Sequence, residues 1–347
     1  IADNRYQFFN HNYFENTALS VKYTYFTNGI ETYSSTFDVN IAPQSSQEYE
    51  IDSLELEKDN HNSVVFEYLA GDFLIASEQI ILSEGKLSAD INSDGKTTVK
   101  PSENKLYITF DNGSMIFDKS TGFITSYIYK NHEMINSFPL GDFKGFAPAF
   151  YRAPLDNDRN ICKYWHTMGL QNTSNICKGS SFTDNGDNIV VTTNIKSIAN
   201  CILPVANTQI KYTIYPNGNI LVDVNCLGGG AVKLLPRFGV MLEMPKEYEN
   251  IKYFGLGEDV NLPDYKEHTI NKVYQITVDK LKEDYIKPQE SATRCDVRFA
   301  EITNASGFGL RFEAVSKPFV FSASHYTSNQ WAKAMHRDDL VDLPTTC

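Results

Sequence analysis

Short runs that alternate apolar and polar residues, joined by Asn-Gly, constrain this sequence more than any other feature. Ile210, Tyr212 and Ile214 share one parity, and Ile220, Val222 and Val224 share the matching parity beyond Asn217-Gly218. A period of two places such residues on one face of a strand, and Asn-Gly accepts the positive φ angles of a two-residue hairpin turn. The pattern recurs. Val21, Tyr23 and Tyr25 alternate with Lys22 and Thr24, Asn28-Gly29 follows, and Phe37, Val39 and Ile41 share a face of the return strand before Ala42-Pro43. Segments 63–69 and 73–82 supply two more strands around Gly71, and Leu106, Ile108 and Phe110 precede Asn112-Gly113 and Met115-Ile116-Phe117. Helical spacing is confined to 161–170. No strand–helix alternation occurs, so a (β/α)₈ barrel is excluded and an all-β chain is expected.

Residues 1–86 carry strands at the spacing of an immunoglobulin-like sandwich. The polar stretch 87–104, with Asn92, Ser93, Asp94, Gly95 and Lys96, is predicted to be a linker or exposed turn. Residues 105–347 are then a second, larger sandwich. The 22 Phe and 20 Tyr suit half-buried pleated surfaces. A net charge of −12 with dispersed acids disfavours nucleic acid and anionic membranes and leaves a neutral carbohydrate open as a partner. The six cysteines (Cys162, Cys177, Cys201, Cys226, Cys295, Cys347) form no Cys-x-x-Cys pair, so no zinc or redox motif is visible and reduced thiols are expected. Asn112, Asn172 and Asn304 head glycosylation-type triplets, which say nothing about secretion. No apolar run is long enough to span a bilayer. There is neither an initiator Met nor a signal-peptide pattern, and the expectation is a piece cut from a longer polypeptide.

The most informative single segment is Phe150-Tyr151-Arg152-Ala153-Pro154-Leu155-Asp156-Asn157-Asp158-Arg159, which combines a fixed turn with several polar side chains. Pro154 fixes its own φ and pushes Ala153 towards an extended conformation, while Asp156, Asn157 and Asp158 favour turns. Two readings are open. Arg152 can pair with Asp156 or Asp158 and fix the loop from within, or the loop can present its polar groups to a sugar or a metal. A Ca²⁺ or Mg²⁺ shell needs six or more oxygens, and three at most are in view. Trp165 and Trp331, the only tryptophans, are candidates for stacking on a sugar. Core packing is the favoured reading for Trp165, beside Met168 and Leu170. His325 and His336 flank Trp331 at a spacing that suits no metal site. Glu243, Glu258 and Glu290 are carboxylates without a visible partner.

The decapeptide resembles a signature of the family 2 glycoside hydrolases of the β-galactosidase type. Trp165-His166-Thr167-Met168-Gly169-Leu170 is similar to the short helix that follows it in that family. Tyr253-Phe254-Gly255-Leu256-Gly257, with Asn261, Pro263 and Asp264, resembles the Gly-x-Gly-Pro-x-Glu-Asn-Tyr-x-Asp-Arg segment. Tyr285-Ile286-Lys287-Pro288-Gln289-Glu290, followed by Arg294, Asp296, Val297 and Arg298, resembles Tyr-x-x-Pro-Gln-Glu…Arg-x-Asp-x-Arg. Departures fall at Glu258 in place of Pro, at Val260, Leu262 and Tyr265 in place of Glu, Tyr and Arg, and at Ala292-Thr293 in place of Gly-Asn.

The resemblance implies an immunoglobulin-like domain followed by a galactose-mutarotase-like sandwich over 95–347, incomplete at its C-terminus. It ends before the family's Gly-Gly-Asp-Asp-Ser-Trp segment. Both catalytic carboxylates of the family lie in a barrel, so no catalytic residue is expected here. The implied substrate rim is Asp156, Asn157, Asp158, Arg159 and Asn160. The implied structural positions are Arg152, Pro154, Trp165, Gly255, Gly257, Pro288, Gln289, Glu290, Arg294 and Asp296. No cofactor is expected in this chain, and the Mg and Na of the intact enzymes belong to the barrel. The implied partners are that barrel on the same polypeptide, a β-galactoside and a further copy in a homo-oligomer. Nucleic acid and membrane are not among them. A cytoplasmic location is implied for the intact enzyme. Two alternatives stand beside this reading: an aldose-1-epimerase-like enzyme with a Glu and His pair, and a stand-alone carbohydrate-binding module with an exposed aromatic platform.

Overall fold

Val21, Tyr23 and Tyr25 turn inwards from one strand, and the sandwich of the first unit forms around them. The computed structural model describes residues 4–88, 91, 94–135, 145–343 and 345–346; Ile1, Asn92, Ser93 and Cys347 lie outside them. The first unit contains β1 (Arg5–Asn10), β2 (Thr17–Thr27), β3 (Ile30–Ile41), β4 (Ser45–Glu50), β5 (His61–Ala70) and β6 (Phe73–Glu84). One layer has the order β3-β2-β5-β6, and the other is the pair β1-β4. Phe8 bridges the layers, meeting Phe37, Tyr49, Phe66 and Tyr68 edge-on. Asn28 and Gly29 both have positive φ at the β2–β3 turn, as the Asn-Gly hairpin requires.

The second unit begins earlier than residue 105. β7 (Thr98–Pro101) pairs with β8 (Lys105–Phe110), Thr98 opposite Thr109 and Val99 opposite Ile108. The 87–104 stretch is therefore not a linker throughout. Its β-branched Thr98 and Val99 fit a pleated edge, and Val99 packs on the core below. β9 (Gly113–Asp118), β10 (Phe123–Tyr129) and β11 (His132–Glu133) complete a five-stranded antiparallel sheet.

β12 (Ala147–Ala149) leads through the decapeptide to α1 (Ile161–Met168), which stops at Gly169 in the left-handed conformation, φ 74°. β13 (Ser174–Asp184), β14 (Ile189–Ala199), β15 (Leu203–Ile214) and β16 (Ile220–Gly228) form a meander. In it Ile210 faces Val224, Tyr212 faces Val222 and Ile214 faces Ile220, the register read from the sequence. This meander and the five-stranded sheet share a core that contains Leu106, Ile108, Phe117, Val191, Ile210 and Tyr212.

β17 (Gly239–Met241) pairs with β12. β18 (Met244–Pro245), β19 (Asn250–Gly257), β20 (Ile270–Thr277) and the single turn α2 (Val278–Leu281) follow. Next come β21 (Thr293–Val297), β22 (Phe299–Thr303), β23 (Gly309–Glu313) and β24 (Phe319–Ser322). The sheet order is β20-β19-β22-β23, with β21 paired to β24. α3 (Ser328–Lys333) starts in a capping box between Thr327 and Gln330, and β25 (Thr345–Thr346) returns to β18. The chain is all-β with antiparallel sheets, as expected from its alternation.

The two units touch. Val273 N donates to Gly29 O at 2.9 Å. Gln79 exchanges two bonds with the Asn271 backbone, at 2.8 and 2.6 Å.

Candidate functional site

The decapeptide loop is held from inside. Phe150 and Ala153 are buried, so the strand end is anchored in the core. Arg152 spans Asp158 with two bonds, Nη1 to Oδ2 at 2.6 Å and Nη2 to Oδ1 at 3.2 Å. Leu155 N donates to the same Oδ2 at 2.8 Å, and Arg152 Nη1 also donates to Ala153 O at 3.0 Å. The planar guanidinium matches the carboxylate fork, and both groups are largely shielded, which strengthens the pair. The guanidinium also lies 5.3 Å from the Trp165 ring, beneath the loop. Both oxygens of Asp158 are thus committed to the loop, so that of Asp156, Asn157 and Asp158 the first two are the exposed ones.

A second tie fixes the loop from across the chain. Gln289 Oε1 accepts from Asp156 N at 2.9 Å. Gln289 belongs to the Pro-Gln-Glu segment, whose Pro288 and Glu290 are buried. Arg294, 1% exposed, donates to the carbonyls of Thr293 at 3.0 Å and Leu281 at 3.1 Å. Asp296 sits at φ 51° and accepts from Lys266 at 2.8 Å.

The altered 255–265 loop keeps a clasp. Asn261 Nδ2 donates to Leu256 O and Asp259 O, and its Oδ1 accepts from Cys295 N at 2.6 Å. A Cβ at Gly255 would come within 2.8 Å of Val297, and one at Gly257 within 2.1 Å of Tyr253 Oη. Both glycines are there for close approach.

These segments border a cleft of ≈ 1570 Å³. Arg152, Asp156, Asn157, Asp158, Gln289 and Glu290 form a polar edge, and Phe146, Val222, Phe238, Met241, Phe312 and Phe321 supply apolar wall. Apolar walls with a few convergent polar groups are what small-molecule sites are made of, but fitted ligand pockets measure roughly 300–1,000 Å³. This is an open trough. Arg159 and Asn160 are exposed and do not line it.

Other candidates are not brought to the cleft. Of Glu243, Glu258 and Glu290, only Glu290 lines it. None of the seven histidines does, so an epimerase-type Glu and His pair has no imidazole there. Trp165 and Trp331 are both buried, at 4% and 5% exposure, and neither offers a face to a sugar. Trp331 instead donates through Nε1 to Ser324 Oγ at 3.2 Å and meets Tyr326 edge-on. His325 is buried and His336 is exposed beside Asp339. Among the described residues, no group of three His, Cys, Asp or Glu is gathered for a metal.

The cleft also includes Arg237, Arg311 and Glu313, which the sequence reading missed, and Tyr265 and Tyr285, which it named only within the motif matches. Arg311 is bonded to Glu301 and Glu313, with its guanidinium 3.9 Å from the Phe299 ring. The shared parity of Arg311 and Glu313 on β23 was the one available signal.

Fold and site together define an all-β region with an open trough edged by polar and charged side chains. The beta galactosidase small chain model matches residues 109–347. A β-galactosidase of Actinobacillus pleuropneumoniae is 27% identical over 96% of this chain and 33% of its own length. One of Halalkalibacterium halodurans is 25% identical over 97% of this chain and 34% of its own. The β-galactosidase BgaC of Bifidobacterium adolescentis is 28% identical over 65% of this chain and 21% of its own. This chain belongs to the β-galactosidase small chain family. It spans about a third of the length of the curated relatives it matches over nearly all of its own.

Proposed function

We propose that this chain is the non-catalytic wall of a larger β-galactosidase-type glycosidase. It closes one side of the substrate site over a catalytic barrel carried by the rest of the polypeptide. The observation that supports this most directly is the polar edge at Asp156 and Asn157, locked by Arg152 and Gln289 beside an open trough. A preorganised rim orients a sugar without taking part in bond cleavage. Retaining hydrolysis needs two carboxyl groups roughly 5–5.5 Å apart, and the reading assigns both to the barrel, together with the Mg and Na of the intact enzyme. The 156–160 segment is the rim, Asp156 and Asn157 facing the trough and Arg159 and Asn160 facing the barrel.

The test uses the longer enzyme. Asn157→Ala, Arg159→Ala and Asn160→Ala should each lower kcat/KM for a nitrophenyl β-galactoside, by roughly ten-fold for a lost positioning contact. Unchanged kcat/KM in all three removes the rim. The 347-residue chain alone should not hydrolyse that substrate, and turnover by it would remove the non-catalytic assignment.

A second reading has one observation in its favour. Phe9, Tyr13 and Phe14 are 59%, 74% and 94% exposed around the β1–β2 loop. Exposed rings are what a carbohydrate-binding module needs. Glycan-array binding that Tyr13→Ala abolishes would support it.

A further inference from the structure

Among the described residues, three aromatic rings of the trough are exposed: Phe238 at 45%, Tyr265 at 59% and Tyr285 at 40%. Phe238 stacks on Phe150 at 5.5 Å and so packs against the root of the decapeptide. The two tyrosines have no such place in the fold. Neither joins a hydrophobic core, and among the described residues neither hydroxyl has a hydrogen-bond partner. They are also neighbours. Partial burial first, then the charges of Glu283 and Tyr265, hold the Tyr285 phenol above its ordinary value, so each phenol lies in the field of the other.

The segments that carry them are rigid. Leu262 N donates to Tyr265 O at 3.0 Å and Tyr265 N to Leu262 O at 2.9 Å, which closes a turn around Pro263 and Asp264. Proline at the second position of such a turn has the φ it needs. Asn261 clasps the residues before the turn, and Thr269 Oγ1 donates back to Lys266 O at 2.6 Å after it. His268 leans on the Tyr265 ring, 4.4 Å between centroids, which fixes the ring plane while more than half of the residue stays exposed. Tyr285 stands four residues before Gln289, whose Oε1 accepts from Asp156 N. Four residues span at most roughly 14 Å of chain. The pair therefore belongs to the same lip as the polar edge, within reach of a short oligosaccharide. At ≈ 1570 Å³ the trough has room for more than the one sugar held there.

We infer that Tyr265 and Tyr285 form a second sugar subsite, which holds a ring of a β-galactosyl oligosaccharide beyond the unit at Asp156 and Asn157. The inference rests on the reading under Proposed function and names its substrate class. The C–H face of a pyranose lies on a phenol ring, and its rim hydroxyls meet the two free phenol hydroxyls. A tyrosine has only two χ angles, so ordering it on a ligand costs little. Contacts remote from the cleaved bond raise kcat/KM for the substrate long enough to make them.

Galactose release by the longer enzyme, from a β-galactosyl trisaccharide and from methyl β-galactoside, tests this. Tyr265→Ala and Tyr285→Ala should each lower the ratio of the two kcat/KM values by roughly three- to ten-fold, the loss of one ring contact. Tyr265→Phe keeps the ring and should keep most of the ratio. An unchanged ratio, or equal losses on both substrates, overturns the subsite. Hydroxyl-radical footprinting reads the same site without turnover. Both rings should be oxidised in the longer protein, and the trisaccharide should protect them. Rings that escape oxidation without sugar are covered by protein, which also overturns the subsite. An unchanged ratio in the tyrosine variants with lowered kcat/KM in the rim variants spares the larger reading. A lowered ratio with unaffected rim variants does the reverse.

Discussion

Arg298 of the second unit reaches Glu84 of the first, Nη2 to Oε2 at 2.7 Å, and its guanidinium lies 5.6 Å from the Phe254 ring. Arg298 is buried at 9% side-chain exposure, whereas Glu84 is 75% exposed. The two ends are therefore unequal. Arg298→Ala removes packing on Phe254 as well as the pair, and should cost about 1–3 kcal/mol. Glu84→Gln loses a solvent-screened partner and should cost less than about 1 kcal/mol. Urea unfolding compares them, and equal losses would contradict the packing role of Arg298.

His61 sits in the same junction, with Phe254 edge-on at 5.4 Å and Glu84 Oε2 3.6 Å from Nδ1. Burial, helped by the Arg298 charge and opposed by Glu84, holds its pKa below the ordinary imidazole value. The unfolded chain then takes up the proton first. Stability should be full above about pH 6.5, the unfolded value, and fall as the pH drops below it towards the depressed folded value. Melting temperature against pH checks this, and in His61→Gln the decline over that window should be shallower.

Arg152→Lys keeps the charge but loses the fork on Asp158. One ammonium cannot reproduce both bonds to Asp158 and the bond to Ala153 O, so a loss of about 1–3 kcal/mol is expected. The amide of Leu155, bonded to Asp158 Oδ2, should exchange faster. An unchanged Leu155 amide would show that the pair does not hold the loop.

Cys295 and Cys201 should differ in reactivity. Burial pushes the Cys295 thiol up to about 11, and its Sγ lies 3.7 Å from Asn261 O. Cys201 is exposed. A disulfide reagent at neutral pH should label Cys201 quickly and Cys295 only on unfolding, because the thiolate is the reacting form. Mass spectrometry of the labelled native protein decides it.

Gly29→Ala should disturb both the β2–β3 turn and the unit junction. Its φ of +75° disfavours a side chain, and a Cβ would come within 2.7 Å of the Phe254 ring. A loss of about 2 kcal/mol or more follows from strain and overpacking together. A fully stable variant would mean that the junction yields at little cost.

The strands were legible where one face is buried and the other wet. Tyr212 opposite Val222 could be read from parity and Asn217-Gly218 alone. Thr98–Pro101 could not, because four residues amid polar neighbours carry too little alternation; β7 exists through its pairing with β8 and the packing of Val99. At the candidate site, a pairing of Arg152 with Asp156 or Asp158 was legible because a few positions and a proline confine it; the structure selects Asp158. The bond from Asp156 N to Gln289 was not, because 133 positions separate the two residues. Trp165 was legible as core from its place beside Met168 and Leu170, whereas nothing around Trp331 told which side it would face.

Alternation, Asn-Gly turns and the order of four short motifs were enough to determine an all-β chain and its family, because strand parity and turn chemistry are local properties. Which polar groups edge the trough, and how Glu84, His61 and Arg298 join the units, was decided only by the tertiary structure. Those arrangements include contacts between residues more than a hundred positions apart, Asp156 with Gln289 and Glu84 with Arg298, and the energy of such contacts comes from the burial and geometry that packing alone creates.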